Sequence, residues 1–141
     1  MANRWTVASI ARRNSEAGRH YFDRDTLRFF NQTRRDFRVA HIAGRVFVYG
    51  QGRDWGGEIQ GNPIRPWSVA EFYPETGYTH TVDAIPDSLT FDRNTTAAQI
   101  RLALRAVAES RVTCPTANGT DLEIWEAVKD KARELAEKAG A

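Results

Sequence analysis

Five side chains are the candidates for catalytic chemistry: His20, Asp23, Asp25, His41 and His80. A catalytic centre needs such groups gathered in a cleft, with an acid, a base or a metal given a defined partner. Asp23 and Asp25, two apart, could hold a cation, but Asp23 already has a local task. It stands at the start of a helix-forming run, where its carboxylate accepts from the N–H groups one turn on. His41 falls in phase with Phe37 and Val39, which reads as a packing or core-edge histidine. His80-Thr81 only half suggests the His-x-Thr pairs of small phosphoesterases, and neither His41 nor His80 has a Thr two positions on. Gly50-x-Gly52 and Gly56-Gly57 lack the Lys-Ser/Thr of a phosphate loop and the dinucleotide pattern. Cys114 has no second cysteine to pair with and no spaced metal-ligand partners. The residues therefore rank binding above catalysis, imply no metal and no cofactor, and leave an enzyme of unrecognised type as the third reading.

Binding chemistry is better represented. Residues 1–53 carry eleven arginines against Glu16, Asp23, Asp25 and Asp36, a local charge of +7. Residues 54–91 have Arg65 against six acids, and the remainder balances eight against eight, so the chain nets +2. Guanidinium groups grip phosphates and carboxylates at two points and stack on aromatic rings. Arg12, Arg13, Arg34, Arg35 and Arg38 are the candidate phosphate contacts, with Tyr21 and Phe29 near them in sequence as stacking surfaces. The alternative reading is compositional, arginine-rich solvated faces with no ligand. Protein partners are the other use of such a surface, since interface anchors favour Trp, Tyr and Arg. Trp55 and Arg53 lie in a loop, Trp67 opens a strand and Trp125 sits on the last helix. These four are the candidate partner contacts.

Positioning them requires a scaffold, and 141 residues with 41% hydrophobic and 11% aromatic content suffice for a buried core. No apolar run approaches the ~20 residues of a membrane span, and Met-Ala-Asn-Arg-Trp does not read as a signal peptide. A cytosolic protein with no membrane partner is expected. Val7, Ile10 and Ala11 predict a helix closing before Gly18. Phe37–Ile42, a turn at Ala43-Gly44 and Arg45–Tyr49 predict a hairpin whose second strand, apolar on both faces, is central. Residues 50–66 hold five of the ten glycines and read as a long loop without structure of its own. Trp67–Tyr73, a Pro74-Glu75-Thr76-Gly77 turn and Tyr78–Ala84 predict a second hairpin ending in an edge strand. Ala97, Ile100, Leu104 and Val107 mark a helix ending near Ser110. Thr120-Asp121-Leu122-Glu123 is a capping box opening a final helix with Trp125, Val128, Ala132, Leu135 and Ala139 along one seam. That seam either packs on the preceding helix or forms a homodimer or partner-docking face.

The densest cluster of anchors is Gly18-Arg19-His20-Tyr21-Phe22-Asp23-Arg24-Asp25-Thr26-Leu27-Arg28-Phe29-Phe30, in which Phe22 and Leu27 have the spacing of a hydrophobic staple across the Asp23 cap. Gly-x-His-aromatic-Phe followed by Asp-Thr-Leu-Arg-Phe-Phe resembles the shared core of a family of small uncharacterised proteins of phages and prophages. The resemblance runs from Ala17 to Gly77, where Phe72-Tyr73-Pro74-Glu75-Thr76-Gly77 is similar to a second family element. It departs at Arg24, where the family often has proline, and in the long tail beyond. It implies a phage-borne protein acting in the host cytoplasm and supplies no catalytic residues.

The expected architecture is α+β: an antiparallel sheet of about four strands in two hairpins, packed by N-terminal helices, with a C-terminal helical pair. One domain is expected, with residues 1–91 as helix-plus-sheet core and 92–141 as helical extension. Its core should include Ile10, Phe22, Leu27, Phe30, Val46, Val48, Phe72, Ile100, Leu104 and Trp125. The expected function is a non-enzymatic binding protein that occupies or redirects a host protein or protein–nucleic-acid complex, such as a defence or nucleic-acid-handling machine. A nucleic-acid module using the Arg-rich half is the runner-up.

Overall fold

The computed structural model describes residues 4–17, 37–51, 58–59, 62–63, 67–82, 84–92, 94–110 and 119–140. It divides into two compact units, Met1–Thr81 and Val82–Ala141. The staple stretch around Asp23, with Phe22, Leu27 and Phe30, lies outside the described residues.

In the first unit, helix α1 (Val7–Ala17) starts where Thr6 and Ser9 cap each other reciprocally. The Thr6 N–H donates to Ser9 Oγ at 2.9 Å and the Ser9 N–H donates to Thr6 Oγ1 at 3.1 Å. This satisfies two of the orphan donors at a helix start, with serine standing where a capping box usually has Glu or Gln. Strands β1 (Phe37–Ile42) and β2 (Arg45–Gln51) form the first hairpin. Its two turn residues both have positive φ, Ala43 at 51° and Gly44 at 78°. Such turns match the right-handed twist of the strands they join, at the cost of placing an alanine where glycine or asparagine is at ease. Residues 50–66, expected to be featureless, contain a small ladder: β3 (Glu58–Ile59) pairs antiparallel with β4 (Asn62–Pro63).

Strand β5 (Trp67–Tyr73) pairs with β2, and β6 (Tyr78–Thr81) with β5, giving one antiparallel sheet in the order β1-β2-β5-β6. β2 is central and β6 lies at an edge, as the sequence pattern requires. The edge strand is shorter than its pattern implies. Beyond it Val82, Ala84 and Ile85 are buried, and burial of the adjacent Ala84 and Ile85 is what a half-wet strand's alternation does not allow. One sheet face packs on α1: Ile10 and Ala11 meet Phe37, Val46, Val48 and Phe72 in a single cluster. Trp5 closes that cluster edge-on to Phe72, with ring centroids 4.8 Å apart.

In the second unit, a one-turn helix α2 (Asp87–Thr90), not foreseen from the sequence, buries Leu89. Helix α3 (Ala97–Ser110) opens on a capping box, with the Thr96 N–H donating to Gln99 Oε1 at 2.7 Å and the Gln99 N–H donating to Thr96 Oγ1 at 3.2 Å. Helix α4 (Gly119–Gly140) packs against α3 as a helical hairpin. Gln99 joins the two, since its Nε2 donates to the Ala136 carbonyl at 3.2 Å. Ile100, Leu104 and Val107 of α3 and Trp125, Val128, Ala132 and Ala136 of α4 are buried. The α4 seam therefore follows the predicted positions as far as Ala132 and then uses Ala136, while Leu135 and Ala139 are half-buried. No helix among the described residues is long and apolar enough to cross a membrane.

Candidate functional site

Strand alternation sends Val46 and Val48 of β2 and Ala70 and Phe72 of β5 to the α1 side, and Arg45, Phe47 and Tyr49 of β2 with Val69, Glu71 and Tyr73 of β5 to the other. This second face carries the densest polar chemistry among the described residues. Arg45 grips Glu71 at two points, Nε to Oε2 at 2.9 Å and Nη2 to Oε1 at 2.6 Å. The Tyr73 hydroxyl donates to Glu71 Oε1 at 3.4 Å, and the Arg45 guanidinium lies 5.2 Å from the Phe47 ring centroid. His80 stands directly opposite Glu71 in the β5–β6 register.

Side-chain exposure in the pair is 16% for Arg45 and 8% for Glu71. A carboxylate this enclosed costs several kcal/mol to desolvate, and only a matched fork with further donors offsets that cost. With both oxygens engaged by the fork and one also by Tyr73, the carboxylate is an internal electrostatic joint between β2 and β5. A free general base would instead present an oxygen to a substrate.

A second constellation holds α1 to the β5–β6 turn. Arg13 donates from Nε to the Pro74 carbonyl at 3.3 Å and from Nη2 to the Glu75 carbonyl at 2.9 Å. The fully buried Asn14 donates from Nδ2 to the Gly77 carbonyl at 2.8 Å, and its Oδ1 has no hydrogen-bond partner among the described residues. Gly77 has φ +80°, and a Cβ there would lie 2.8 Å from the Arg13 carbonyl oxygen. Glycine is required on both counts. At the other end of the helix, the Trp5 N–H donates to His41 Nε2 at 3.1 Å. His41 is exposed, and its ring serves as the acceptor that holds Trp5.

The predicted phosphate contacts separate in the structure. Arg12 is exposed on α1, Arg13 is consumed by the turn carbonyls, and Arg38 is exposed on β1 on the side of the sheet away from α1. Arg34 and Arg35 lie outside the described residues. So do Arg53, Trp55, His20, Asp23 and Asp25. Trp67 is half-buried with its ring 6.4 Å from that of Tyr49, and Trp125 is 5% exposed on the inner side of α4.

Sequence reasoning passed over Arg45, Glu71 and Asn14. A signal for the first two existed: Glu71 is the one acid within Val-Ala-Glu-Phe, a run that otherwise reads as buried strand, and a buried acid demands a cation on a neighbouring strand. No such signal marks Asn14, whose partner is a backbone carbonyl far along the chain.

Fold and site together define a small α+β protein: a four-stranded antiparallel sheet bearing an internal Arg–Glu joint and clamped by its N-terminal helix, and a C-terminal helical hairpin. The chain belongs to a family of unknown function (DUF7447), whose model matches residues 6–99. No curated protein and no solved structure matches it.

Proposed function

We propose that this protein is a small non-enzymatic binding protein, phage-encoded and acting in the host cytoplasm, that occupies or redirects a host component. The fitting class of target is a defence or nucleic-acid-handling complex. The reading is carried by how the first unit distributes its arginines. Arg13 and Arg45 are tied into the framework, whereas Arg4, Arg12 and Arg38 are exposed and make no ion pair or hydrogen bond among the described residues. A scaffold that fixes some guanidinium groups internally and leaves others free offers ready contacts to carboxylates or phosphates. Arg53, Trp55 and Trp67 would add the loop and strand contacts of a protein interface, and Trp125 would support α4 from within if a second copy docks on its outer side.

The free guanidinium groups of Arg12 and Arg38 favour one second reading, a nucleic-acid-binding module to which Arg34 and Arg35 would add further phosphate contacts. An affinity pull-down of the tagged chain from host lysate, with and without nuclease, decides between them. A stoichiometric protein that survives nuclease and is weakened by Trp55→Ala supports the host-directed binder. Recovery of nucleic acid alone, lost at moderate salt and abolished by charge reversal at Arg34 and Arg35, supports the second reading. Recovery of neither refutes both.

A further inference from the structure

The two long helices of the second unit treat surface charge in opposite ways. Along α4, Arg133 pairs with Asp130, and Lys131 and Lys138 both approach Glu134, at 3.6 and 3.5 Å. These are the one-turn pairings that stabilise an exposed helix. On α3 only Ala98, Arg101, Arg105 and Glu109 are exposed, and the other described positions are buried or half-buried. That outward ridge sets two arginines four residues apart, so that their like charges repel. Neither makes an ion pair or hydrogen bond among the described residues. Glu109 lies one turn past Arg105, in the less favourable order for pairing, with the cation N-terminal to the acid. A local rule broken on one helix and followed on its neighbour marks a surface kept for something other than stability.

We propose that the Arg101–Arg105 ridge of α3 contacts the phosphodiester backbone of nucleic acid. The ridge is rigid, because Ile100, Ala103, Leu104 and Val107 anchor the opposite side of the helix. Its two cations stand about 5–6 Å apart at their Cβ atoms, with no exposed acid between them. They face an anion whose charge recurs about every 3.4 Å along each strand, and guanidinium grips phosphate oxygens at two points. Both residues lie beyond the matched family segment, which ends at residue 99. The inference rests on the reading that the target includes nucleic acid, but on residues other than the N-terminal arginines.

The test is fluorescence anisotropy of the full chain with a fluorescein-labelled 20-nucleotide single-stranded DNA and the matching duplex, over a salt series. Arg101→Ala/Arg105→Ala is the variant, because alanine is the best helix former and removes a repulsion; circular dichroism checks that the helices persist. The expected result is weaker binding, with the slope of log K against log salt reduced by about 1.8 for the duplex or about 1.4 for the single strand, two contacts' worth. Arg101→Lys/Arg105→Lys should retain most of that slope. An unchanged slope in the alanine variant overturns the proposal, as does absence of binding to both probes. Tighter binding to poly-glutamate than to either probe also overturns it and assigns the ridge to an acidic protein. Capture of a host protein undiminished by the alanine variant, together with an unchanged slope, removes this inference and leaves the proposed function standing.

Discussion

Gly77→Ala tests whether α1 locks the β5–β6 turn. At φ +80° an L residue costs about 1–2 kcal/mol relative to glycine. The added methyl would also sit 2.8 Å from the Arg13 carbonyl oxygen, 3.0 Å from Arg13 Nη1 and 3.1 Å from the Ala17 Cβ. The nearest of these is backbone, so the last turns of α1 must move. Movement stretches the buried Asn14-to-Gly77 bond, and Asn14 Oδ1 already lacks a donor among the described residues. Loss of such a bond with its groups still buried costs a further 1–3 kcal/mol, giving roughly 2–5 kcal/mol in all. Gly44→Ala is the control, since Gly44 has nearly the same φ, +78°, but nothing within 4 Å of where its Cβ would lie. It should cost about 1–2 kcal/mol, the conformational part alone. Urea denaturation followed by far-UV circular dichroism, compared at matched slopes, reads the difference. Two variants equal within about 0.5 kcal/mol would refute the lock, that margin being the usual scatter between independent sites.

Two further expectations concern the sheet. Glu71→Leu strands a mostly buried guanidinium and should destabilise by about 3–5 kcal/mol, whereas Arg45→Met/Glu71→Leu should fall within about 1 kcal/mol of wild type or above it; a double variant as unstable as the single one would show that the pair contributes net attraction. Ala43→Gly should raise stability by about 1 kcal/mol, because Ala43 holds φ 51° in the first hairpin; an unchanged urea midpoint would contradict strain in that turn.

The elements were legible wherever one periodicity held without interruption. Val7, Ile10 and Ala11 announced α1, and β-branched and aromatic residues around Ala43-Gly44 announced the hairpin and its central second strand. Ile10, Val46, Val48, Phe72, Ile100, Leu104 and Trp125 were correctly expected in the core. The misses share a cause. α2 is a single turn, too short to establish a period. β3 and β4 are two residues each and are set by backbone pairing. β6 stops at Thr81, short of an alternation that runs on to Ala84.

The candidate contacts were less legible for a related reason: an arginine's task is set by what the fold brings to it. Arg12 and Arg13 are adjacent in sequence and equal in composition, yet helical geometry turns one to solvent and the other onto two turn carbonyls 61 and 62 residues away. Arg45 looked like one more cation in a basic half until the register placed Glu71 within its reach. Charge counting therefore overstated the free cation of the first unit. It understated that of residues 92–141, where eight against eight conceals that Lys131, Arg133 and Lys138 pair along α4 while Arg101 and Arg105 have no ion-pair partner among the described residues. A binding surface is read from the charge left over after the fold has used what it needs. By that measure, variants at Arg12 and Arg38 probe residues within the family match, and variants at Arg101 and Arg105 probe residues outside it. If only the first pair matters for capture of a partner, the function belongs to the part of the chain that the family shares. If only the second pair matters, it belongs to the helical hairpin.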